Sequence, residues 1–126
     1  MALSVEQRRE KVERYLSLVA TGTAAQIMEL YGPDPRLEDP VGSEPKQGRE
    51  ALEEFYRGIE PLRTDTTLRE FRASGDASAA FAFDVATTLG DDTMTIHVIE
   101  VMTFDEDGLI SDMKAYWSPE HDSEFS

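Results

Sequence analysis

The chain has 126 residues and no cysteine, and its 26 acidic and 12 basic side chains leave a net charge of −14. This length is typical of one domain with a single core, so we predict one domain over residues 1–126. The negative charge disfavours nucleic acids and membrane surfaces as partners, because their phosphate groups are also negative. The lack of cysteine excludes disulfides and thiolate metal sites, and the polar amino-terminal segment favours a cytoplasmic protein.

The beginning of the chain carries helix signals. Ser4 begins a capping box, and apolar residues follow at helical spacing as far as Gly22, which predicts a first helix. Thr23 begins a second capping pattern, and we predict a short second helix that includes Tyr31 and ends at Gly32.

The segment 33–48 is rich in Pro and Gly and contains one predicted short strand, at 36–39. Irregular segments of this kind often carry functional groups on a rigid fold. Asp39 precedes Pro40, a pair that commonly just begins a turn. Its carboxylate could instead lie at the mouth of a cavity and take a proton from a bound carbon acid. A third helix is predicted from Arg49.

Strand-like runs make up the second half of the chain, at residues 66–73, 78–88, 93–104 and 109–117. Turn-forming residues separate them. Helices followed by a meander of strands indicate an α+β domain, with the helices on one face of a curved antiparallel or mixed sheet. The sequence leaves open whether the polar tail is ordered.

Glu100 falls on the apolar face of the strand predicted at 93–104, because alternate residues of a strand point to the same side. The other members of that face are Met94, Ile96, Val98, Met102 and Phe104. A buried carboxylate there needs a cation, hydrogen-bond donors or a raised pKa that keeps it neutral. Arg69 and Arg72 lie in a neighbouring predicted strand. The pattern therefore leaves a solvated acid, an ion pair and a neutral acid in a cavity as alternatives.

Apolar side chains of two further strands are predicted to face the same concavity as Glu100. Phe83 and Val85 share one face of their strand, and Met113 and Trp117 share one face of theirs. Every sheet needs an apolar face, so such a lining fits a plain core as well as the wall of a pocket.

Three tyrosines and two histidines complete the set of candidate polar groups. Tyr15, Tyr31 and Tyr56 are on inward positions of the predicted helices, and buried tyrosyl hydroxyls normally find hydrogen-bond partners. His97 and His121 are too few and too separated to predict a metal site, and we interpret both as ordinary residues.

The sequence as a whole resembles the bacterial ketosteroid isomerases (steroid Δ5-isomerases), within the NTF2-like and SnoaL-like superfamily. The similarity is carried by ERYLSLV, LEDPVGSEPKQGRE, FYR, VIEVMTFDEDGLI and AYWS, which keep their order and spacing over nearly the whole chain. The resemblance implies a cone-shaped α+β fold shared with nuclear transport factor 2. It also implies a homodimer that uses no cofactor and no metal.

The resemblance further implies a role for each candidate residue. Asp39 matches the general base, Tyr15 matches a donor to the dienolate oxygen, and Glu100 matches a second donor that is Asp in the family. Tyr31 and Tyr56 match tyrosines hydrogen-bonded behind the first one. The residues that match the apolar walls around the sterol rings are Phe55, Phe83, Val85, Met113 and Trp117, of which the Trp can also hydrogen-bond the base.

The predicted function is therefore the isomerisation of a small hydrophobic ketone, a 3-oxo-Δ5-steroid, to its conjugated Δ4 isomer. Two alternatives stay open. One is another enzyme on the same cone, a polyketide cyclase or an epoxide hydrolase, and the hydrolase would need an Arg between two acids in the pocket. The other is a non-catalytic module that binds a hydrophobic ligand.

Overall fold

The computed structural model describes residues 2–126. In these residues the helices are α1 (Val5–Thr21), α2 (Ala24–Met28), α3 (Arg49–Ile59) and α4 (Pro119–Asp122). The strands are β1 (Tyr31–Glu38), β2 (Lys46–Gln47), β3 (Arg63–Ser74), β4 (Ser78–Leu89), β5 (Asp92–Phe104), β6 (Ile110–Tyr116) and β7 (Ser123–Phe125). The α+β class predicted from the sequence is confirmed.

One mixed sheet holds all of these strands, in the order β2-β1-β6-β5-β4-β3, with β7 added on β5. The pairing of β1 with β6 is parallel, and the other pairings between named strands are antiparallel. The helix α1 packs on β3, and α3 packs on β1 and on α2. Helices on one face of a curled sheet leave an enclosed space between the two layers. No helix within residues 2–126 is long and apolar enough to cross a membrane.

The two predicted helix starts are confirmed, because Ser4 and Thr23 each form a complete capping box. The predicted end of the second helix is wrong. The helix stops at Met28, and Tyr31 begins β1 instead. The reason is a long-range pairing, since Tyr31 lies opposite Ile110 in the parallel ladder and the Ile110 amide donates to the Leu30 carbonyl at 2.9 Å. Local sequence cannot show such a partner.

The tail, whose order the sequence left open, is ordered. It forms α4 and then β7, whose residues Ser123 to Phe125 pair with Ile96 to Met94 of β5. The pairing is reinforced by His97, whose Nδ1 lies 2.6 Å from Asp84 Oδ1 and whose Nε2 lies 2.6 Å from Glu124 Oε2. A strand this short carries no readable alternation, which is why its pattern predicted nothing.

We expect the attachment of the tail to weaken as pH rises. Hydrogen bonds to Glu124 and Asp84 raise the pKa of His97, so the protonated ring bridges the two carboxylates in the fold. A raised folded-state pKa gives stabilisation that is complete below the unfolded pKa and is lost as pH passes the folded one. NMR amide shifts of residues 123–125 should follow this titration. In His97→Gln these shifts should no longer follow the titration. An unchanged titration in that variant would show that His97 does not hold the tail on β5.

Candidate active site

A cavity of about 280 Å³ lies between the helices and the concave face of the sheet. Its apolar wall consists of Val19, Phe55, Ile59, Leu62, Phe83, Val85, Met94, Ile96 and Val98. Its polar or amphipathic members are Tyr15, Asp39, Tyr56, Thr64, Thr87, Glu100 and Trp117. The lining is thus a mostly apolar surface with a few polar groups, which is the usual composition of a site for a small hydrophobic ligand.

Asp39 follows the end of β1 and lies in the cavity wall, before the cis peptide bond to Pro40. The indole Nε1 of Trp117 donates a hydrogen bond of 2.8 Å to its Oδ1. Burial raises the pKa of Asp39, while the bond from Trp117 and the charge of Lys46 partly oppose that rise. The result is a carboxylate held in one orientation, with a pKa above that of an exposed Asp, which makes it a better proton acceptor.

The hydroxyls of three tyrosines form a buried chain beside the cavity. Tyr56 stands in the middle, with its oxygen 3.0 Å from that of Tyr15 and 2.6 Å from that of Tyr31. Burial raises the pKa of all three well above 10, so each remains a neutral hydroxyl that can donate. Only Tyr15 and Tyr56 reach the cavity wall, and Tyr31 supports them from behind. These contacts orient the Tyr15 hydroxyl within the cavity.

Glu100 is 3% exposed, and its Oε1 has no hydrogen-bond partner among residues 2–126. The two arginines considered as partners are engaged elsewhere, Arg69 with Asp84 at 2.7 Å and Arg72 with Glu70 at 3.1 Å. Burial, and secondarily the charge of Asp39, raise the pKa of Glu100 well above its ordinary value. Of the alternatives left by the sequence, the neutral acid facing a cavity is the one that the structure supports.

The raised pKa of Glu100 predicts an unusual pH dependence of stability. Above the unfolded-state pKa of about 4.3 the unfolded chain releases this proton, whereas the folded chain keeps it. The unfolded state then binds fewer protons, so the free energy of unfolding falls as pH rises until the folded pKa is reached. Urea denaturation from about pH 5 to pH 8 should show this fall, and Glu100→Gln should reduce its slope. Equal slopes in the two proteins would contradict it.

Of the predicted wall residues, Phe55, Phe83, Val85 and Trp117 line the cavity. Met113 does not, and this part of the prediction is corrected. It is fully buried in the sheet, with Met102 opposite it on one side and Leu37 on the other. The strand face on which Met113 lies continues past the cavity into the core. Alternation alone cannot show where the part that lines the cavity ends and the part in the core begins.

Several lining residues were not among the predicted wall residues. Met94, Ile96 and Val98 share the face of Glu100, so the same alternation contained them. Thr87 continues the face of Phe83 and Val85 in the same way. Val19 belongs to the apolar stripe of the first predicted helix, but that stripe did not show that it reaches a cavity. No pattern in the sequence marked Leu62, just before β3, or Thr64, at the start of β3.

The curled sheet, the helices over it and the cavity with its two carboxyls define the NTF2-like class of protein. Comparison with known families agrees, because the SnoaL-like domain family matches residues 12–113. A steroid Delta-isomerase from Nocardioides simplex is 47% identical over 86% of this chain and 87% of that protein. The chain therefore belongs to the SnoaL-like family, within which it groups with the steroid isomerases, and it is an enzyme of the isomerase class.

Two more distant relatives have different names. The epoxide hydrolase LasB from Streptomyces lasalocidi is 28% identical over 89% of this chain but only 48% of its own length. A solved structure of the epoxide hydrolase/cyclase-like enzyme SalBIII, described for pyran ring formation in the polyether salinomycin, superposes with a TM-score of 0.86. It covers 94% of this chain and 95% of its own at 24% identity, which supports the fold alone.

Proposed function

We propose that this protein is a steroid Δ5-isomerase, which moves a proton from C4 to C6 of a 3-oxo-Δ5-steroid and so brings the double bond into conjugation with the ketone. The observation that carries the proposal is that the buried Glu100, whose Oε1 has no partner among residues 2–126, lines one cavity with Tyr15 and Asp39. A neutral acid without a partner is available to donate to a ligand oxygen, and the 47% identity with a steroid Delta-isomerase supports the choice of ligand.

Asp39 is the proposed base. Its carboxylate accepts the C4 proton, and the electron pair of the broken C–H bond moves into the ring system to give a dienolate with its charge on the ketone oxygen. The same carboxyl then returns the proton to C6. The indole N–H of Trp117 holds one carboxylate oxygen of Asp39 at 2.8 Å. The other oxygen is then free to remove the proton from C4 and to return it to C6.

Tyr15 and Glu100 are the proposed donors to the dienolate oxygen. Both are buried, and their raised pKa values keep their protons in place when the negative charge develops. Neutral donors fixed in a dry cavity stabilise such a charge more strongly than water does, because they need not reorient during the reaction. The hydrogen bonds from Tyr15 to Tyr56 and from Tyr56 to Tyr31 hold the Tyr15 hydroxyl in position.

The apolar walls are proposed to hold the flat rings of the substrate. Phe55, Phe83, Val85 and Trp117 were expected in this role, and each has a side chain on the cavity. Position 100 carries Glu where the family has Asp, and the extra methylene still delivers a carboxyl oxygen to the cavity. Use of no cofactor, assembly as a homodimer, a cytoplasmic location and one domain over residues 1–126 stay predictions.

The second candidate is epoxide opening, which is favoured by the 28% identity with LasB. A hydrolase of this kind needs an Arg between its acids, and the cavity lining contains no Arg among the residues that the structure describes. Isomerisation needs only a base and neutral donors, all of which are present, so we prefer it.

The direct test is the ultraviolet absorbance of the protein mixed with a 3-oxo-Δ5-steroid, followed for the appearance of the conjugated enone. A fast rise supports the isomerase. Sterol binding without any rise would favour the non-catalytic binding module, and opening of an epoxide substrate instead would favour the hydrolase.

A further inference from the structure

Lys46 is a cation beside the active-site cavity that takes no direct part in the proposed proton transfer. It lies on β2, directly opposite Leu37 of β1 in the antiparallel ladder. Residues opposite each other in such a ladder project to the same face of the sheet, and successive residues of a strand alternate between faces. Leu37 is fully buried, and Asp39 follows it by two residues and lines the cavity. The side chain of Lys46 therefore projects to the face that carries the proposed base.

The ammonium group of Lys46 lies over an aromatic ring of the cavity wall. Its Nζ is 5.1 Å from the centroid of the Phe55 ring, a distance at which a cation is attracted to the ring face. Phe55 in turn packs edge-on against Tyr56, with ring centroids 5.1 Å apart. No ion pair among residues 2–126 includes Lys46, although the chain has 26 acidic side chains. The ring thus holds a positive charge at the edge of the cavity that no ion pair neutralises.

The charge of Lys46 acts on Asp39. Leu37 is the direct partner of Lys46, so Asp39 is its diagonal neighbour across the ladder. Diagonal neighbours are about 7–8 Å apart, which is within reach of a long side chain. Burial raises the pKa of Asp39, and the hydrogen bond from Trp117 and the charge of Lys46 both lower it.

The other groups around Asp39 supply no positive charge. Its ionisable neighbours on the other packed elements are Tyr15 of α1, Tyr31 of β1, Tyr56 of α3 and Glu100 of β5. Burial raises the pKa of all four well above their ordinary values, so that they are neutral near pH 7. Trp117 donates a hydrogen bond but carries no charge. Within residues 2–126, Lys46 is therefore the group that places a positive charge near the base.

We propose that Lys46 is a positioning residue of the active site, whose ammonium charge, held over Phe55, stabilises the carboxylate form of Asp39 and so extends catalysis to lower pH. This inference rests on the proposed function and adds a residue to it. A base buried among neutral groups binds a proton from solvent more readily, because burial disfavours its charged form. Once protonated, it can no longer accept the C4 proton. A cation outside the cavity counters this loss without occupying space that the substrate needs.

The test compares two substitutions of Lys46. Lys46→Met keeps an unbranched side chain over Phe55 but removes the charge, and Lys46→Arg keeps the charge. The matched control is Lys114→Met, because Lys114 of β6 lies opposite Glu38 and so projects to the face away from Asp39. The NMR signal of the Asp39 carboxyl carbon, assigned with Asp39→Asn, is followed through a pH titration. The pH profile of kcat/KM is measured with a 3-oxo-Δ5-steroid, and thermal unfolding checks that each variant is folded.

We expect the Asp39 carboxyl to titrate at higher pH in Lys46→Met than in the native protein. In the acidic limb of the profile kcat/KM should fall about threefold to tenfold, as expected for loss of a charge about 7–8 Å away in a partly hydrated environment. Above the titration kcat/KM should be close to native, because Asp39 is then a carboxylate in both proteins. Lys46→Arg and Lys114→Met should both keep the native titration and the native profile.

An Asp39 titration that is unchanged in Lys46→Met, or shifted equally in Lys114→Met, overturns the inference and leaves the isomerase proposal standing. A loss of kcat/KM that is the same at every pH also overturns it, because that result would mark Lys46 as structural only. The NMR titration needs no turnover, so a failure of the proposed function is recognised separately. In that case the native protein itself produces no enone, whatever the titration of Asp39 shows.

Discussion

Asp39→Asn is expected to lower kcat for a 3-oxo-Δ5-steroid by about 10²- to 10⁴-fold, the range typical for loss of a positioned acid–base group. The amide cannot accept the C4 proton, yet its oxygen can still take the 2.8 Å hydrogen bond from Trp117. The site should therefore keep its shape and its affinity for the steroid product. Stopped-flow absorbance of the enone gives the rate, and calorimetric titration with the product gives the affinity.

The neighbouring residue offers a matched control for that substitution. The Glu38 carboxylate accepts from the Gly42 amide at 2.9 Å and from Arg36 at 3.2 Å, and it is not part of the cavity wall. Glu38→Gln removes the same charge one residue away and should leave kcat close to native. An Asp39→Asn enzyme as fast as Glu38→Gln would remove Asp39 from the mechanism.

Loss of either proposed oxyanion donor is expected to lower kcat by about 10²- to 10³-fold, the usual effect of removing one such donor. Tyr15→Phe removes the hydroxyl that faces the cavity and leaves Tyr56 bonded to Tyr31 at 2.6 Å. Glu100→Ala removes the other donor. Glu100→Gln keeps a weaker N–H donor and should retain part of the rate. Steady-state kinetics on all three variants provides the measurement.

A different substitution at Glu100 should stabilise the fold although it slows the reaction. An apolar residue of similar length, as in Glu100→Met, removes a buried carboxyl that has no partner for Oε1, and replacement of such a group is expected to stabilise the fold by about 1–3 kcal/mol. A stabilised but slow enzyme would mark Glu100 as retained for chemistry. Full activity in Glu100→Ala, or destabilisation in Glu100→Met, would contradict the assigned role.

Glu100→Asp serves as the control for geometry, because it restores the acid that the ketosteroid isomerases carry. The shorter side chain keeps the neutral OH but withdraws it by one methylene. Since a misplacement of about 1 Å in such a site can cost about a hundredfold in rate, its kcat reports how closely the backbone here has adapted to Glu.

The local sequence pattern was sufficient to predict much of the fold. Ser4 and Thr23 form the predicted capping boxes, because a cap depends only on residues within one helical turn. The position of Glu100 on one strand face with Val98 and Met102 followed from alternation, because the two faces of a strand are set by the backbone itself. The resemblance to a known family then implied that Tyr15, Asp39 and Glu100 belong to one site.

The sequence by itself thus determined the α+β class and the position of an acid on an apolar strand face, whereas it left open whether that acid is solvated, paired or neutral. Only the tertiary structure decided that Tyr31 lies on a strand, that the tail pairs with β5 and that Met113 belongs to the core. Each of these depends on a partner distant in sequence, as does the bond from Trp117 to Asp39, which joins residues 78 positions apart. Local sequence propensity cannot predict such pairs, because the interaction between two distant residues stabilises the chain only after folding has brought them together.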